Sequence, residues 1–77
     1  MRIGKKQAKA MAKFLELAAE NADHVRLNLF YRSWSRGDMA FLQAVDKNGD
    51  ELARMLVDEI LGDAVEYYGD WSLDEVK

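Results

Sequence analysis

The apolar residues change their spacing at residues 21–24, and the two spacings demand two different kinds of element. Before the change, Ile3, Ala10, Met11, Phe14, Leu17 and Ala18 recur at three- and four-residue steps. That is the stripe of an amphipathic helix over residues 4–21. Arg2, Lys5, Lys6, Lys9, Lys13, Glu16 and Glu20 fall between them as its wet face, and Asn21-Ala22-Asp23 ends it. After the change, the side chains alternate. Val25, Leu27, Leu29 and Tyr31 point one way, and Arg26, Asn28, Phe30, Arg32 and Trp34 the other. This period of two predicts a strand over 25–34 with one buried face. Ser35-Arg36-Gly37-Asp38 reads as a turn, and residues 39–45 as the return strand. With Arg36 and Gly37 as the loop, Tyr31 lies opposite Leu42 and Leu29 opposite Ala44.

Asp46-Lys47-Asn48-Gly49-Asp50 is a second turn. Asp50 can then cap a helix over 50–61 carrying Leu52, Met55, Leu56 and Ile60 on one side. Gly62 would stop that helix, and Asp63 would restart a short one over 63–68, ended by Gly69. Ser72 with Glu75 three residues on has capping-box spacing and predicts a turn over 72–76. The expected fold is α+β: one domain over residues 1–77, in α-β-β-α order, with a two-stranded antiparallel hairpin packed against helices and a short extra C-terminal helix. A two-stranded ribbon is marginal unless a helix covers it, and its edges stay open to a partner strand or to a second copy in a homodimer.

A chain of 77 residues has room for a single small core. At 49% hydrophobic and 32% charged, its composition is that of a globular protein. It has no cysteine, which removes disulfides and thiolate metal sites. The start, Met1-Arg2-Ile3-Gly4-Lys5-Lys6, lacks a signal-peptide apolar run, and nothing approaches the roughly 20 apolar residues of a membrane span. A soluble, cytoplasmic protein with no membrane partner is the expectation.

Catalysis finds little to work with. His24 is the only histidine and stands at a strand mouth, and Ser33, Ser35 and Ser72 lie in no recognisable nucleophile setting. No enzyme and no cofactor are expected. Asp46, Asn48 and Asp50 alternate as at the start of a calcium loop, but the sixth and twelfth positions are Glu51 and Val57, where glycine and a bidentate acid are required. No metal site is expected there, and Asn48-Gly49 reads as a tight turn. Arg36-Gly37-Asp38 matches the integrin tripeptide and reads here as a hairpin turn.

Charge is unevenly spread. Residues 1–45 hold eight basic and four acidic side chains, a balance of +4, and residues 46–77 hold three and ten, a balance of −7. Asp58, Glu59, Asp63, Glu66 and Asp70, with Trp71 as anchor, therefore form a candidate acidic surface for a basic protein partner. The hairpin's outer face offers a second surface, where Arg26, Phe30, Arg32 and Trp34 meet Met39, Phe41 and Gln43. Joined by Lys5, Lys9, Lys13 and Arg36, its basic and aromatic side chains could stack bases and neutralise phosphates. The sequence pI near 5.0 weighs against nucleic acid. The leading expectation is a small acidic inhibitor or adaptor of the phage or mobile-element kind, docking on a nucleic-acid-handling or defence protein; a nucleic-acid binder and a structural subunit are the alternatives.

Overall fold

A computed structural model of the protein describes residues 2–32, 37–59 and 65–71. Helix α1 (Lys5–Asn21) is followed by strands β1 (His24–Arg32), β2 (Gly37–Val45), β3 (Glu51–Asp58) and β4 (Glu66–Gly69). The strands form one antiparallel sheet in the order β1-β2-β3-β4, so each pairs with its neighbour in the chain. One helix and a four-stranded open sheet make an α+β fold.

α1 forms where its periodicity places it. Gln7, Ala10, Phe14 and Ala18 are its buried side chains. The Ala22 N–H closes the last turn on the Ala18 carbonyl, 2.8 Å away, and the Asp23 N–H donates to the Val45 carbonyl at 2.9 Å. The helix end is thereby tied to the sheet. Alanine at 10, 18, 44 and 53 lets helix and sheet approach closely around Phe14, Leu42, Met55 and Val57. Phe14 is wholly buried, 6.2 Å from the Tyr67 ring and 5.6 Å from that of Trp71.

The second half differs from the sequence expectation. Residues 51–58 of the expected helix 50–61 are strand β3, and residues 66–68 of the expected helix 63–68 belong to strand β4. The order is therefore α-β-β-β-β over the described residues. Ala53, Met55 and Val57 alternate into the core opposite Ala44, Leu42 and Ala40. Pairing with β2 from Met39 to Val45 satisfies the backbone and outweighs the helix propensity of Glu-Leu-Ala-Arg-Met-Leu. The expected turn 72–76 lies outside the described residues.

The hairpin register also differs. Leu29 pairs with Ala40 and Leu27 with Leu42, because the strands stop at Arg32 and resume at Gly37. The shift is even, so the side chains of residues 25–30 and 39–45 keep their expected faces. Burial on that face is uneven. Val25 is half-buried, while Leu27 and Leu29 stay 57% and 70% exposed, since a single helix does not reach across the edge strand.

The turn before β3 forms as expected. The Gly49 N–H donates to the Asp46 carbonyl, and Asp46 Oδ1 accepts from the N–H groups of Asn48 and Asp50 at 2.8 and 2.9 Å. Gly49 has φ +89°, which glycine tolerates best.

Candidate functional site: the open sheet face

α1 packs on one side of the sheet, and the other side carries a cross-strand row. Arg26 pairs with Gln43, Gln43 with Arg54, and Arg54 with Tyr68, one residue from each strand. Beside it runs a second row, Asn28, Phe41, Leu56 and Glu66. Phe30 stands next to Phe41 with ring centroids 5.7 Å apart at 83°, an edge-to-face contact.

Arg54 lies over the Phe41 ring, its guanidinium carbon 5.6 Å from the centroid. Its Nε and one terminal nitrogen donate to the two Glu51 oxygens at 2.7 and 2.9 Å. Residues three apart on a regular strand face opposite ways. A bulge between the Ala44–Ala53 and Val45–Glu51 pairs inserts Leu52 and swings Glu51 to the side of Arg54. The Arg54 hydrogen bond holds the Glu51 carboxyl below the usual carboxylate range, and the same contact raises Arg54. Asn28 Nδ2 donates to Gln43 Oε1 at 2.9 Å.

Arg26, Asn28, Phe30, Phe41, Gln43 and Arg54 line a shallow cleft of about 360 Å³. It continues past Phe41 into one of about 450 Å³ toward Leu52, Glu66 and Tyr68. Phe30 is 48% and Tyr68 61% exposed, while Leu56 and Asp58 on the same side are buried. The face is thus open along the Arg26–Tyr68 row and closed at the far end of β3. Arg26 is exposed and makes no ion pair among the described residues.

The expected hairpin surface is assembled in part. Arg26 and Phe30 share a face with Met39, Phe41 and Gln43, and the backbone of Arg32 continues β1. Trp34 and Arg36 lie outside the described residues. Lys5, Lys9 and Lys13 belong to α1 on the sheet's other side, with Lys13 3.9 Å from Glu16, so helix and hairpin cations do not form one surface.

The expected acidic surface is dispersed. Asp58 is 1% exposed. Glu59 is half-buried, and its carboxylate accepts the Arg2 backbone N–H. Glu66 and Asp70 are exposed at β4 and just after it. Trp71 turns inward onto Phe14, and its backbone N–H donates to Tyr67 Oη at 2.9 Å. Asp63 lies outside the described residues. Arg54 and Tyr68 join the open face although the sequence expectation puts both on helices; the alternation of Ala53, Met55 and Val57 is the signal that places Arg54 on a strand face, and pairing with β3 brings Tyr68 beside it.

His24 is exposed, with Nδ1 2.8 Å from Asp23 Oδ2. Among the described residues no cluster of three or more metal-ligating side chains occurs, and no helix is long and apolar enough to cross a membrane. Compared with known proteins, the chain matches no family model, no curated protein and no solved structure.

Proposed function

We propose that this chain is a non-enzymatic protein-binding module, an adaptor or inhibitor, that engages its partner through the open sheet face. The observation behind this reading is the row Arg26–Gln43–Arg54–Tyr68, exposed at both ends and half-buried between, beside the Phe30–Phe41 pair. Arginine and aromatic side chains dominate the binding energy of protein interfaces. Arg54, held by both Glu51 oxygens and stacked on Phe41, has little side-chain entropy left to lose on docking. Glu66 and Asp70 at the β4 side suit basic groups at the partner's rim.

A nucleic-acid reading draws on Arg26 and on stacking against Phe30, Phe41 and Tyr68. Glu51 and Glu66 beside the same cleft, with a net charge of −3, oppose a phosphate backbone. Protein is therefore the favoured partner.

The test begins with affinity capture from a bacterial lysate with and without nuclease, followed by titration of any captured protein. Arg26→Glu and Tyr68→Ala should each weaken the complex at least about tenfold while circular dichroism stays unchanged. Full affinity in both variants would overturn the reading. Fluorescence polarisation with single-stranded DNA and RNA completes the test: steeply salt-dependent binding lost on Arg26→Glu would transfer the surface to nucleic acid.

A further inference from the structure

We propose that the free edge of β1 is a self-association surface, through which two copies pair their β1 strands antiparallel about a two-fold axis at Asn28. This goes beyond the open-face reading: it rests on the strand edge and on Leu27 and Leu29, and shares only Arg26, Asn28 and Phe30 with that face.

β1 is an outer strand of nine residues, against four for β4 at the other edge. Among the described residues its outward N–H and C=O groups meet no strand, and such a row is one that proteins usually blunt with charge, proline or a bulge. β1 contains no proline or lysine, and its pairing with β2 runs from His24 to Arg32 without a register shift.

The apolar side chains point to the same edge. The row Leu27–Leu42–Met55 and the row Leu29–Ala40–Val57 begin in the core, where Leu42, Met55, Ala40 and Val57 are all buried. They end in Leu27 and Leu29, at 57% and 70% exposed. The core face thus runs past the helix and stops at the β1 edge.

The occupant follows from the strand's own sequence. Antiparallel pairing centred on Asn28 sets Leu27 of one copy opposite Leu29 of the other, twice, on the helix side. On the outer side it sets Arg26 opposite Phe30, also twice, so that cation meets ring and these arginines avoid each other. Val25 falls opposite Tyr31. A strand of unrelated sequence would meet two exposed leucines and an arginine with no such match. The result is a closed, isologous dimer with one continuous eight-stranded sheet and both helices on one side.

The chain has no cysteine, so a single Asn28→Cys substitution gives a register-specific probe. Directly opposed antiparallel residues have Cα atoms about 4.5–5.5 Å apart, within the range a disulfide spans. Under mild oxidation Asn28→Cys should cross-link nearly completely, and Asp50→Cys, in the turn before β3, should not. Light scattering of the unaltered protein should give twice the chain mass at high concentration. Leu29→Lys should return it to one chain mass with unchanged circular dichroism, since this side chain is mostly exposed. A monomer at every concentration would overturn the proposal and leave the edge to a different protein's strand. So would a dimer untouched by Leu29→Lys, an Asn28→Cys that fails to cross-link, or an open-ended assembly that grows with concentration. Capture of a partner by the Leu29→Lys monomer separates a failure here from a failure of the open-face reading.

Discussion

Gly69 lies opposite Ala53 where β4 meets β3, and the space beside it is already taken. A Cβ at this position would stand 2.6 Å from Tyr67 Oη and 2.8 Å from the Ala53 Cβ. Neither neighbour can move freely. Ala53 is buried in the core, and the Tyr67 hydroxyl accepts the Trp71 N–H that brings the Trp71 ring onto Phe14. Gly69→Ala should therefore destabilise the protein by about 1–3 kcal/mol, an overpacking cost read by urea denaturation. A smaller Trp71 fluorescence change on unfolding should accompany it, because the ring loses its seat. Burial of Tyr67 also raises its phenol above the ordinary value, in keeping with a side chain that belongs to the core.

The bulge in β3 is the element-level device that joins Glu51 to Arg54. The Glu51 carboxyl is held below its usual value of about 4.5, so the pair adds stability above that pH and loses it as pH falls through the lowered value. Both side chains are well exposed to solvent, so screening keeps the contribution small. Thermal denaturation between about pH 5 and 3 should show a small acid-side loss that Glu51→Gln flattens. β3 is also where sequence and structure part. α1 and the first hairpin were legible because their periods of 3.6 and 2 are unambiguous, and the outer hairpin face with Arg26, Phe30, Phe41 and Gln43 followed from the alternation. In β3, Leu52, Met55 and Leu56 fit a helical stripe while Ala53, Met55 and Val57 fit a strand. Only pairing to β2, a tertiary fact, decides between them. The error carried Arg54 and Tyr68 off the candidate face and gathered Asp58, Glu59 and Glu66 into a helical acidic surface. The even slip in the hairpin register did no such harm, since it left the side chains of residues 25–30 and 39–45 on their faces.

At the scale of the whole molecule, strand order repeats chain order, so every pairing in the sheet joins neighbours along the chain. The separations that must be closed during folding are short, and loop-closure entropy is low compared with a sheet whose strands are interleaved. Among the described residues, the docking of α1, the Arg2–Glu59 contact and the arrival of Trp71 at Phe14 bring distant residues together. The Asp46–Gly49 turn, where Asp46 accepts three hydrogen bonds and donates a fourth, is the expected nucleus for the zipping of β2 and β3. If so, Asp46→Ala, which removes the two side-chain bonds at a cost of about 1 kcal/mol, should slow refolding about fivefold and leave the unfolding rate nearly unchanged in stopped-flow chevrons. The meander that leaves a long edge bare at β1 among the described residues is thus also a topology that favours quick assembly of so small a core, shortening the time that edge spends in a half-formed chain.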